Sequence, residues 1–286
     1  MIREVREVLP SRPTIEGAGV HLLRAFGSAH VPRFDPFLLL DDFRSSFRDE
    51  YLAGFPWHPH RGIETITYML EGSVEHGDSL KNSGIIGPGD VQWMTAGAGI
   101  IHQEMPKPDA EGRMGGFQLW ANLPASQKMM PPRYREVLSA QIPEMEHESG
   151  ARIRIICGEV DGMRGAVEDI VTEPEYLDID LPANAMFEHI VHKGFTVLAY
   201  VFGGSARFGA ESETVVSSEH VIVFDNGDSV QVHSGDDGAR LLLLAGRPIG
   251  EPIAWGGPIV MNTEAELLEA FTQYREGAFL EQERPK

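Results

Sequence analysis

Two short motifs carry the side chains best placed to do chemistry. In GFPWHPHRGIETITYMLEG, His58 and His60 stand two residues apart ahead of a strand-like run. In GPGDVQWMTAGAGIIHQEMP, His102 and Glu104 repeat that spacing after a Gly-Asp turn and a Gly-rich corner. Residues i and i+2 of an extended chain point to the same face, so each pair can aim both side chains at one point. If the two pairs face each other across a barrel, they offer three imidazoles and a carboxylate to one divalent metal. Fe(II), Mn(II), Co(II), Ni(II), Cu(II) and Zn(II) all suit that donor set, which does not choose among them. A net ligand charge of about −1 would leave the ion electrophilic, with room for exchangeable ligands.

These pairs need rigid strands to hold them, and the sequence supplies strands almost everywhere. Short apolar runs broken by Gly, Pro, Asn or Asp recur as FDPFLLLDDF, TITYMLEG, VQWM, FQLWANL, IRIICG, TVLAYVFGG, HVIVFDNGD and RLLLLAG, the pattern of strands joined by tight turns. One helix is expected near the end. Thr263 offers an N-cap with Glu266 three residues on, and Leu267, Leu268, Ala270, Phe271 and Tyr274 follow at helical spacing before Gly277.

The two halves resemble each other. TYMLEGSVEHGDS and then GPGDVQWM have counterparts in AYVFGGSARFGAE and DNGDSVQV, which pairs Tyr68 with Tyr200 and Asp90 with Asp228 and predicts a duplicated β-domain. The polar stretch QIPEMEHESG places the boundary near residue 140, giving domains 1–140 and 141–286. In the second copy His192 falls opposite His60, but Ile190 falls opposite His58 and no His-x-Glu follows DNGDSVQV. The C-terminal barrel is therefore expected to lack a metal, with His189, His192, His220 and His233 as ordinary polar or surface histidines.

Composition narrows the function class. A formal charge of −19, from 24 Lys plus Arg against 43 Asp plus Glu, repels polyanions, so direct nucleic-acid binding is not expected. The single cysteine, Cys157, rules out an intrachain disulfide and a cysteine-based metal site. No segment approaches the roughly 20 apolar residues of a membrane span, and the N-terminus has no apolar stretch of signal-peptide length. A cytoplasmic protein is the expectation.

The motifs GFPWHPHRGIETITYMLEG, PGDVQWMTAGAGIIHQEMP, GFQLWANLP and GEPIAWGGPIVMNT resemble, in order and over nearly the whole chain, those of the pirin family within the cupin superfamily. That resemblance implies an all-β fold of two cupin barrels (double-stranded β-helix, jelly-roll) ending here in a short helix. It also implies one metal, with Fe(II) the first expectation, held in the N-terminal barrel by His58, His60, His102 and Glu104. Most cupins take a carboxylate ligand from the position of Glu64, whereas pirins take it from that of Glu104. Glu64 is thus expected beside the ligands, orienting one of them.

The implied activity is that of a quercetin 2,3-dioxygenase, which opens a flavonol ring with O2 and releases carbon monoxide. Glu104 would be its general base. Phe55, Trp57, Trp93, Met94, Phe117 and Trp120 are the candidates for the apolar wall of a pocket for a flat aromatic substrate, with at least half of them expected to be core residues instead. Two other classes stand beside it: a metal- and redox-dependent regulatory protein that binds a transcription factor or metabolic enzyme, and another cupin chemistry such as isomerisation of a sugar or small carbonyl compound. Two barrels in one chain point to a monomer.

Overall fold

The short alternating apolar runs supply the strands of the computed structural model, whose sheets are antiparallel. It describes residues 1–170, 172–210 and 214–280. The chain divides into two units, and each draws on separated segments. Residues 1–12, 34–36 and 140–248 form one unit; residues 13–33, 37–139 and 249–286 form the other.

The unit centred on 140–248 is a nine-stranded sheet folded round an aliphatic core. Ile153 and Ile155, Leu177 and Ile179, Val197, Ala199 and Val201, and Leu241 and Leu243 alternate inward along four neighbouring strands, so every second residue enters one core. The long strands Thr196–Phe208 and Ser229–Gly246 pair with a register shift around Gly203, Gly204 and Ser205. Such bulges bend a strand and let it serve both faces of a barrel.

The other unit holds both His motifs. Its seven-stranded sheet runs, in spatial order, Arg133–Val137, Val91–Thr95, Ile63–Glu71, Gly115–Asn122, Phe37–Asp42, Val20–Phe26 and Arg12–Glu16. A four-stranded sheet runs Phe55–His60, Ile100–Lys107, Ser73–Asp78 and Ser83–Ile86. Phe55–His60 is an edge strand, the position where Pro56 and Pro59 cost no ladder hydrogen bond.

Two differences from the sequence reading concern connectivity. One passage between the units falls at Ser139 and Ala140, and both chain ends cross over. Val5–Pro10 adds an edge strand to His220–Phe224, and the hairpin Ala254–Gly256/Ile259–Met261 with the helix Glu264–Glu276 joins the unit of the His motifs. Backbone pairing chose these partners, and pairing over some two hundred residues leaves no local trace in a sequence. The helix itself is as read: the Thr263 hydroxyl accepts from Glu266 N, the Glu266 carboxylate accepts from Thr263 N, and Gly277 closes it at φ 79°.

The internal repeat also aligns differently. Tyr68 lies between Val91 and Phe117, and Tyr200 between Val221 and Leu242, so Val91–Thr95 corresponds to His220–Phe224. The strand after Asp228 is then the counterpart of the His-x-Glu strand. In the first copy His58 stands opposite His102; in the second, Ile190 stands opposite Ser229.

Candidate metal centre

His58 and His60 share a face of their strand, and the neighbouring strand brings His102 directly opposite His58. The ligand nitrogens of His58, His60 and His102 lie within 4.8 Å of one another. His60 and His102 are buried and His58 is half-buried at the cavity side. The ring of His58 packs 4.8 Å from that of His60 and 4.3 Å from that of His102, centroid to centroid.

The tautomers follow from the backbone. His58 Nδ1 is 2.8 Å from the Pro56 carbonyl and His60 Nδ1 is 3.0 Å from the Pro258 carbonyl. A carbonyl only accepts, so each Nδ1 carries the proton and each Nε2 of a neutral ring presents a lone pair. These two Nε2 atoms face each other at 3.0 Å. Two lone pairs at that separation repel unless a cation lies between them. Two nitrogens each about 2.1 Å from one ion, at a right angle, stand about 3.0 Å apart. His102 Nε2 is buried with no hydrogen-bond partner among the described residues. An orphaned imidazole nitrogen beside two opposed lone pairs is the chemistry of a cation site, and the three rings fit a divalent transition metal.

Glu104 lies outside this set of three. A register shift between His102 and Glu104 places Glu104 opposite Phe55, and its Oε2 is 4.0 Å from His102 Nε2. The buried carboxylate accepts from Thr67 Oγ1 at 3.1 Å and from Gln118 Nε2 at 3.4 and 3.5 Å.

Burial, with His58 adding to it, pushes the His60 imidazole down to about 3. Burial and the neighbouring rings of His60 and His58 hold His102 well below the ordinary histidine range. Both rings therefore stay neutral in the fold while their unfolded counterparts gain a proton as pH falls through about 6.5. The stability tied to these rings is fully present above that value and is lost as pH drops toward the folded-state values. Thermal melts of metal-free protein from about pH 8 to about pH 4 should show Tm declining below about pH 6.5. An invariant Tm over that range would contradict the burial of neutral rings.

Glu64 is a correction to the sequence reading. His60 and Glu64 are separated by an even number of residues, but the strand ends at His60 and Gly62 adopts φ 78°, which resets the pleat before Ile63. Thr67 lines the cavity, and strand alternation puts Glu64 and Ile66 on the opposite face of the sheet from it. There the Glu64 carboxylate, raised by burial, accepts from Thr95 Oγ1 at 2.6 Å. Trp93, opposite Ile66, and Phe117, opposite Tyr68, share that far face. Met94, opposite Thr65, is buried in a core cluster with Ile63, Ile100 and Val260 and is not among the cavity-lining residues. Phe55, Trp57 and Trp120 do line the cavity, Trp57 as an exposed rim residue and Trp120 edge-on to His60 at 5.1 Å.

The cavity holds about 650 Å³. Trp255, Gly257 and Pro258 also line it, contributed by the C-terminal hairpin, and Thr67 and Gln118 support Glu104. Their roles were not legible beforehand, although GEPIAWGGPIVMNT stood out as a motif. Two buried cations adjoin the site, and Lys128 is the one that holds the hairpin. Lys128 Nζ donates to Gly62 O, Asn122 Oδ1 and Val260 O at 2.6–3.0 Å. Arg61 donates to Ala98 O, Gln273 Oε1 and Phe279 O, with its guanidinium 4.2 Å over the Phe279 ring.

Comparison with known proteins shows which family the chain falls in. A family model described as Pirin matches residues 19–121, and one described as the Pirin C-terminal cupin domain matches residues 176–280. A pirin-like protein of Caulobacter vibrioides is 43% identical over 279 residues, covering 97% of this chain and 99% of that one. The pirin of Homo sapiens is 39% identical over 268 residues, covering 93% and 90%. The 1.88 Å crystal structure of a quercetin 2,3-dioxygenase from Acinetobacter baumannii matches with a TM-score of 0.88 at 30% identity, covering 98% of this chain and 99% of that one. Family models in both halves, near full-length relatives and a histidine cluster within the first matched segment lead to one conclusion: this chain belongs to the pirin family and has its cupin fold.

Proposed function

We propose that this protein is a metal-dependent dioxygenase of the quercetin 2,3-dioxygenase type, acting on a flat aromatic substrate of the flavonol class. The observation that carries the reading is the placement of three imidazole donors beside a cavity of about 650 Å³ with aromatic and aliphatic walls. A regulatory metal site would need no such space. The solved structure named a quercetin 2,3-dioxygenase supports the same class.

His58, His60 and His102 would hold the ion through Nε2, and Glu104 would complete the set. Fe(II) is the proposed occupant, within the range Mn, Co, Ni, Cu and Zn that the donors also suit. When bound, the ion supplies Lewis acidity toward substrate oxygens and the electronic flexibility that O2 chemistry requires. The chain's own part is positioning and proton transfer. Glu104 takes the proton of the flavonol 3-hydroxyl onto a carboxylate oxygen, leaving the substrate as its enolate. Thr67 and Gln118 hold that carboxylate in place, and the apolar walls keep water from the reacting ring.

The test pairs elemental analysis of protein purified without chelator with anaerobic quercetin titration followed by O2. The expected result is a flavonol spectral change and carbon monoxide release. In Glu104→Gln, turnover should fall by roughly 10²- to 10⁴-fold. Metal-loaded protein that neither binds nor turns over a flavonol would defeat this reading and leave the regulatory one, with a protein partner, in its place.

A further inference from the structure

One row of side chains crosses the cavity wall of the seven-stranded sheet. Thr67 stands opposite Gln118, Gln118 opposite Asp41, and Asp41 opposite Arg24, on four adjoining strands. Directly opposed residues share a face, and all four line the same cavity as His58, His60 and Glu104. The row begins at Glu104, which Thr67 touches, and reaches Asp41 two strand spacings later, about 10 Å away.

At its far end the row is charged. Arg24 Nε and Nη2 donate to the two oxygens of Asp41 at 2.8 and 2.7 Å, and Arg24 Nη1 lies 2.8 Å from Glu16 Oε1. Asp41 is only 5% exposed. Each Asp41 oxygen accepts one of these bonds and can accept another; the guanidinium has five N–H groups, of which these contacts use three. An ion pair placed this deep adds little to stability over an apolar pair of the same size. Both residues line the cavity, so their unspent hydrogen-bonding capacity is within reach of a bound molecule. Apolar stripes flank the row, Trp120 and Leu39 on one side, Phe43 and Leu22 on the other. A flat ring system can rest its faces on those stripes while its edge meets the polar row.

We propose that Asp41 and Arg24 form a recognition subsite for a phenolic hydroxyl on the substrate ring remote from the metal, so that the cavity selects polyhydroxylated aromatics over unsubstituted ones. The proposal rests on the flavonol reading of the site. The Asp41 carboxylate accepts a hydrogen bond from the phenolic O–H, and Arg24 donates to the same phenolic oxygen. A hydrogen bond to a charged partner in a desolvated cavity is worth roughly ten- to a hundredfold in affinity.

The test compares anaerobic binding of quercetin and of 3-hydroxyflavone, which has the metal-binding oxygens and no outer-ring hydroxyls, by metal-loaded protein. Wild type should favour quercetin by roughly ten- to a hundredfold, and Asp41→Asn should bring that ratio to within about threefold of unity. Metal content reports whether the variant has folded; Arg24→Lys, which keeps the charge and loses the planar fork, is the second variant. Equal affinities in wild type, or a ratio unchanged in both variants, would overturn the subsite while leaving the flavonol reading intact. Binding of neither compound would overturn both.

Discussion

Replacing His102 with leucine abolishes stoichiometric metal binding: elemental content is expected to fall from about one equivalent per chain to background. His102 carries the buried Nε2 that no other described group satisfies, so it has the most to gain from an ion and the least role without one. The stability consequence runs the other way. Removing an unsatisfied buried polar atom and keeping the volume is close to neutral, so metal-free His102→Leu should melt no lower than metal-free wild type. Only wild type should then gain stability when metal is added, by mass action on the folded state. Near-stoichiometric metal in the variant would show that the histidine cluster is not where the ion binds.

Gly62→Ala is the second large effect, and it acts through the backbone. Gly62 adopts φ 78°, and a Cβ built there overlaps the Val260 carbonyl oxygen, an atom that Lys128 already holds in place. The hairpin must move or the residue must leave the left-handed region. We expect a loss of about 3–5 kcal/mol, seen as a Tm drop on the order of 10 °C. The same shift carries Pro258 away from His60 Nδ1, so metal affinity should fall by roughly ten- to a hundredfold. Gly194→Ala is the control. Its φ of 84° carries the same intrinsic strain, but nothing lies within 4 Å of the added Cβ, and its cost should be about 1 kcal/mol. Equal losses in the two variants would mean that the close approach to Val260 contributes nothing.

The two variants together separate holding the metal from holding the holder. His102 supplies a donor atom. The hairpin whose carbonyl fixes the tautomer of His60 is fastened by the Arg61 carbonyl, which accepts from Val260 N, and by Lys128, which bridges Gly62 O and Val260 O. A ligand's chain neighbours therefore position the segment that orients the ligand.

What the sequence determined by itself is whatever depends on short-range geometry. The i, i+2 spacing put His58 and His60 on one face because a strand alternates, and the Thr263–Glu266 capping box started the helix because its bonds span three residues. The same rule failed at Glu64, where one glycine at positive φ broke the pleat that the count assumed. Tertiary structure alone decided which strands became neighbours: that Asp41 and Arg24 share the cavity with Glu104, and that a carbonyl from residue 258 meets His60. Those contacts depend on which backbone edges pair across the sheet, and hydrogen bonds between distant strands leave no periodicity in the residues they join.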